Sequence, residues 1–117
     1  MIKTVLLELS KQLKETGFPQ ETYLYWRLAG NLGWQLEVHY GLLKDKLIAA
    51  PTAEEIFERL PECIELNNTL WAITIEKYFD KWHIRYGQSE DCMDEMLAEA
   101  AGKMWLYLKK ENQLIEK

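Results

Sequence analysis

The chain reads as an α+β domain, with a four-stranded, largely antiparallel sheet, helices packed on one face, and element order α-ββ-α-ββ-α. Two stretches carry this expectation, each a pair of alternating segments broken by turn residues: Thr22–Arg27 with Trp34–Tyr40, and Leu70–Lys77 with Lys81–Tyr86. A helix-start signature follows each pair, at Thr52 and at Ser89. An amphipathic segment precedes them both.

That first segment places Ile2, Val5, Leu6, Leu9 and Leu13 at helical spacing, opposite Lys3, Glu8, Lys11 and Lys14. Gly17 follows where a left-handed C-cap commonly falls, and Pro19 blocks continuation. Strand propensity then rises through the aromatic run Thr22–Leu28. Leu24, Trp26 and Leu28 share one face, and Tyr23, Tyr25 and Arg27 the other; both faces are partly apolar, so alternation alone does not choose the inner one. The return strand alternates more cleanly, with Trp34, Leu36, Val38 and Tyr40 against Gln35, Glu37 and His39, the pattern of a half-buried strand.

Gly41–Ala50 is compatible with a short strand, a turn or a packed loop. After Pro51, Thr52 and Glu55 have the spacing of a capping box; Ile56, Phe57 and Leu60 form the buried side of the helix, and Pro61 ends it. Asn67-Asn68 marks a turn. Trp71, Ile73 and Ile75 then share a strand face, answered by Trp82, Ile84 and Tyr86 after a tight break at Phe79-Asp80. Ser89 with Glu90 and Asp91 suits a helix N-terminus, and Met93, Met96, Leu97, Ala100, Ala101, Met104, Trp105 and Leu108 continue with helical period. Lys109 and Lys110 suit its negative pole. The hairpin–helix order thus occurs twice, with Trp34 and Trp82 similarly placed. Duplication and ordinary antiparallel topology both account for it.

With 117 residues, 48% hydrophobic and 28% charged, the chain is expected to form one domain over 1–117 with a real core. A net charge of −5 and scattered basic residues argue against nucleic-acid binding, which draws on clustered Lys and Arg. Glu8, Ser10, Lys11 and Gln12 cut short the apolar start, so it does not read as a signal peptide, and no run approaches the ~18 apolar residues of a membrane span. A soluble, cytoplasmic protein is expected. Two cysteines, Cys63 and Cys92, are too few for a disulfide framework and read as free thiols.

No catalytic, metal-binding or nucleotide-binding motif stands out. His39 and His83, the two histidines, lie on the polar sides of return strands, without the short ligand spacings that pre-organise a metal. No metal or cofactor is expected. Cys92, read as first-turn helical, is the more reactive thiol by position, but Glu90, Asp91 and Asp94 disfavour its thiolate. Structural roles suit both cysteines. The methionine stripe falls in register with Leu97, Trp105 and Leu108 and therefore reads as core.

The more informative surface is the sheet side away from the helices. It carries Tyr23, Tyr25 and Arg27, then Glu37 and His39, then His83 and Arg85. Aromatic rings and arginine among polar groups are what interface cores enrich.

Three segments carry a resemblance: Gly17-Phe18-Pro19-Gln20, the run from Ala49-Ala50-Pro51-Thr52 to Leu60-Pro61, and Ala100-Ala101-Gly102-Lys103 through Leu108. In these the chain resembles small bacterial and phage-associated proteins of unknown function. The resemblance implies a bacterial or phage origin and transfers no catalytic or binding residue. The expected function is therefore a small non-enzymatic protein-interaction module, meeting a protein partner or its own copy as a homodimer. The alternative is an enzyme or small-ligand binder with an unrecognised site on the sheet face, built from Glu37, His39, His83 and Arg85.

Overall fold

The computed structural model describes residues 3–38, 47–87 and 89–114. Among them are three α-helices and seven strands in an α+β arrangement. Helix α1 (Leu7–Glu15) starts later than its apolar spacing predicts. Residues ahead of it are drawn into extended pairing: Thr4 bridges to Thr52, and the Val5 amide donates to Pro51 O at 3.0 Å. Its end is as expected. Gly17 has φ +96°, its amide donates to Lys14 O, and the Phe18 amide donates to Leu13 O, the paired bonds of a Schellman motif.

The strands divide between two antiparallel sheets, where the sequence suggested one four-stranded sheet. The first has the order β2-β1-β3, from β1 (Leu24–Leu28), β2 (Trp34–Val38) and β3 (Ile48–Ala49). The second has the order β4-β5-β6-β7, from β4 (Cys63–Leu66), β5 (Thr69–Tyr78), β6 (Lys81–Tyr86) and β7 (Cys92–Asp94). Competition for edges explains the division. β4 occupies the outer side of β5 and β7 that of β6, so the second hairpin has no edge left for the first.

Short β4 and β7 lay beneath the alternation that the sequence showed. The two-residue turns on either side of β5 are type I′, with φ +52° and +64° at Asn67 and Asn68 and +52° and +60° at Phe79 and Asp80. β7 also moves the start of the last helix, which was expected at Ser89. Instead α3 spans Leu97–Lys110, and Met96 stands at its N-cap. Cys92–Asp94 pair with Trp82–Ile84 first, and Asp94 Oδ1 then accepts the Met96 amide at 2.9 Å. Ser89 Oγ accepts the Tyr86 amide at 2.8 Å, closing the turn after β6. Met93 consequently leaves the helical stripe for the sheet, while Met104 stays in the core.

Helix α2 (Ala53–Phe57) forms on the expected capping box. The Glu55 amide donates to Thr52 Oγ1 at 3.2 Å, and Glu55 Oε1 accepts the Thr52 amide at 2.9 Å. One core joins the three helices to the second sheet, through Leu9 and Leu13, Ile56, Ile64, Ile84 and Tyr86, and Met104, Trp105 and Leu108. Phe18 closes it against Trp105, edge to face at 5.1 Å. Helices α1 and α3 cross at Gly102, where a Cβ would stand 2.7 Å from Leu9 Cδ2. The first sheet has its own small cluster, Tyr25, Leu47 and Ala49.

Candidate interaction surface

The β1–β2 register settles which side chains share a face. Leu24 stands opposite Val38, Trp26 opposite Leu36, and Leu28 opposite Trp34. Directly paired residues share a face, so this side carries six apolar side chains and no charge. Helix α1 covers one part: Trp26 Nε1 donates to buried Ser10 Oγ at 3.1 Å, and Lys11 Nζ lies 5.4 Å from the Trp34 ring. Among the described residues, the rest stays open. Leu28 is 57% exposed, Leu36 37% and Val38 38%, with Leu32 beyond them in the connecting 3-10 turn, η1 (Gly30–Leu32), 76% exposed.

The opposite face holds the residues that sequence analysis singled out, and it is largely satisfied within the chain. Tyr25 is buried; its hydroxyl donates to Gln20 O at 2.7 Å and accepts the Thr22 amide at 3.1 Å. Arg27 grips Glu37 as a fork, with Nε donating to Oε2 and Nη2 to Oε1. That hydrogen bonding holds the Glu37 carboxyl below its ordinary value and the Arg27 guanidinium above its own. The Tyr23 side chain is half exposed, and its amide donates to Glu55 Oε2 at 3.0 Å. His39 lies outside the described residues.

His83 and Arg85 sit in the other sheet, so they do not join Tyr23, Arg27 and Glu37 on one surface. Arg85 Nη2 lies 3.5 Å from Glu76 Oε1. His83 is buried, its ring stacked on Tyr78 at 3.8 Å and 1° between planes, and its Nδ1 lies 2.8 Å from Asp91 Oδ2. His83 Nε2 and Asp91 Oδ1 have no hydrogen-bond partner among the described residues. A histidine oriented by a carboxylate is the base half of a nucleophilic site, but the cysteines do not supply the other half. Cys92 pairs with Ile84 and so faces the opposite side of the sheet from His83. Burial pushes its thiol up to about 11, with Glu90 and Asp91 adding to this against Lys103. Cys63 is exposed on β4, two strands away from His83.

Asp91 as the partner of His83 was missed in the sequence because its acid neighbours explained it as a helix N-terminus. The open apolar side was missed for a different reason: alternation marks an apolar face but not what covers it. Among the described residues, no cluster of three or more His, Cys, Asp or Glu is placed to hold a metal, and no helix is long and apolar enough to cross a membrane. No protein-family model, curated protein or solved structure matches the chain.

Proposed function

We propose that the protein works by binding another polypeptide, through the open apolar side of its β1–β2 hairpin. One observation carries this reading: Leu28, Leu36 and Val38 stay exposed on the apolar side of the hairpin, with Leu32 exposed in its connecting turn, while the other face is largely satisfied within the chain. Exposed apolar side chains gathered on one face are what protein-binding sites present. Binding would remove it from water at ~25 cal/mol for each Å² covered. The bacterial or phage origin implied by the resemblance suits such a small binding module.

The test has two arms. Light scattering over a dilution series of the intact chain, with Leu36→Lys beside it, reads self-association. A photo-crosslinking amino acid at position 36, with position 35 on the other face as control, reads other partners in bacterial extract. Association abolished by Leu36→Lys, or adducts specific to position 36, supports the reading. A monomer at every concentration with equal labelling from both positions would refute it.

A further inference from the structure

The β4 strand carries a second surface, independent of the hairpin face. β4 is the outer strand of its sheet, and among the described residues no strand pairs with its far side. The Asn67-Asn68 turn settles which backbone groups β5 uses. Leu66 faces Thr69 across a two-residue turn and exchanges hydrogen bonds with it; antiparallel pairs alternate, so Ile64 bonds to Trp71 and Cys63 and Glu65 do not bond to theirs. The Ile73 amide donating to Glu62 O at 3.0 Å keeps the same phase. The N–H and C=O of Cys63 and Glu65 therefore point outward.

Open edges are normally blunted by shortness, charged side chains (lysine above all), proline, bulges or a covering element. β4 is four residues long and its one charge is Glu65. β4 contains neither lysine nor proline. The far edge of the sheet differs: α3 packs beside β7, and Lys103 Nζ donates to Met93 O at 3.2 Å. Where β4 begins, the edge opens onto a cleft of about 680 Å³. Pro19, Leu60, Pro61, Trp105 and Leu114 give it apolar walls. Glu58 and Arg59, of opposite charge, also line it, and Lys109 Nζ lies 5.9 Å from the Trp105 ring. Along the strand itself the charge has one sign. Glu62 and Glu65 flank the outward backbone groups on opposite faces, and no basic residue stands between Glu62 and Asn68.

We propose that the β4 edge binds an extended polypeptide segment with basic side chains, which adds as a fifth strand and seats one apolar side chain in the cleft. Main-chain hydrogen bonds to Cys63 and Glu65 would supply the pairing; Glu62, Glu65 and the cleft would supply the selectivity.

The test titrates the intact chain with a labelled octapeptide of alternating Lys and Val, followed by fluorescence anisotropy, with an alternating Glu and Val peptide as control. Glu65→Pro removes the carboxylate and the outward amide without breaking a ladder bond, whereas Glu65→Ala removes the carboxylate and keeps that amide, so the difference between the two variants reads the amide. Expected are a tenfold or greater loss of Lys–Val binding in Glu65→Pro, a loss of less than about threefold in Glu65→Ala, and binding of the Glu–Val peptide at least tenfold weaker. Amide exchange in the unmutated chain provides a second reading, with the Cys63 and Glu65 amides protected when the Lys–Val peptide is added. Absence of Lys–Val binding at millimolar peptide would overturn the proposal. So would equal binding of both peptides, full binding by a folded Glu65→Pro chain, or peptide binding without protection of those two amides.

Discussion

The Glu99 carboxylate, in the first turn of α3, accepts the Leu6 amide at 3.1 Å and so ties the start of α3 to the start of α1 across 93 residues. Leu6 has no side chain able to cap its helix, and Glu99 supplies an acceptor from outside. An anionic group at a helix N-terminus also meets the positive pole of the backbone dipole.

This contact has a pH signature. Burial raises the Glu99 carboxyl above its ordinary value, the Leu6 amide and Lys103 work against the rise, and Asp94 adds to it. A carboxyl raised on folding binds its proton more tightly in the native chain, so its contribution is most favourable below the ordinary value and declines as pH climbs through the raised one. Asp94 has the opposite sign. Burial acts to raise it, but the Met96 amide and Lys103 hold it below its ordinary value, and its contribution is lost as pH falls. Glu99→Gln keeps an acceptor for Leu6 and loses the charge. Urea unfolding from pH 4 to pH 8 is expected to show this variant gaining on the unmodified chain as pH rises. A difference that does not change with pH would show that the charge plays no part.

Glu55 serves two amides, Thr52 through Oε1 and Tyr23 through Oε2. Thr52→Ala breaks the capping box at one bond and is expected to cost about 1 kcal/mol. Glu55→Ala releases both amides, one of them joining α2 to the run-in of β1, and is expected to cost about 1–2 kcal/mol. The order of the two variants in chemical denaturation is the check. Equal losses would show that the Tyr23 contact contributes nothing.

The His83–Asp91 pair offers a measure of how firmly the second hairpin is held. Asp91→Ala strands a buried imidazole nitrogen and is expected to cost about 1–3 kcal/mol. Asp91→Asn keeps a carbonyl acceptor for Nδ1 and should cost less. Because Tyr78 stacks on the same ring, near-ultraviolet circular dichroism should change in Asp91→Ala. If Asp91→Ala is no more harmful than Lys81→Ala at the exposed start of β6, the pair does not anchor the hairpin.

Gly87 follows β6 at φ +57°, and a Cβ there would stand 2.2 Å from Trp71 Cδ2. Gly87→Ala combines a left-handed alanine with overpacking against ring atoms and is expected to cost about 2–4 kcal/mol. Gly17→Ala is the natural control, since its φ is also positive but no atom lies within 4 Å of the added Cβ. About 1 kcal/mol is expected there. Similar losses at both positions would mean that Trp71 moves aside freely.

The α3 C-terminus shows how a local device can escape notice. Asn112, at φ +57°, ends it with the same Schellman pairing that Gly17 gives α1: its amide donates to Lys109 O, and that of Gln113 to Leu108 O. A glycine after an apolar run announces such an end, whereas an asparagine among polar residues does not. The apolar alternation of β1 and β2 was legible, yet only α1 settles how much of it is covered: Trp26 and Trp34 meet the helix, and Leu36 and Val38 lie beyond it.

By itself the sequence determined the features that act within a few residues: the α+β class, the Gly17 stop, the Thr52–Glu55 box, and the turns at Asn67-Asn68 and Phe79-Asp80. Each depends on backbone sterics or on hydrogen bonds between near neighbours, so residue type and spacing are enough. The tertiary structure alone decided that β4 and β7 take the edges of the second hairpin, that Asp91 meets His83, and that Leu36 and Val38 stay open. These outcomes depend on which strands win a shared edge and where a helix comes to rest, and no short window of residues contains that competition.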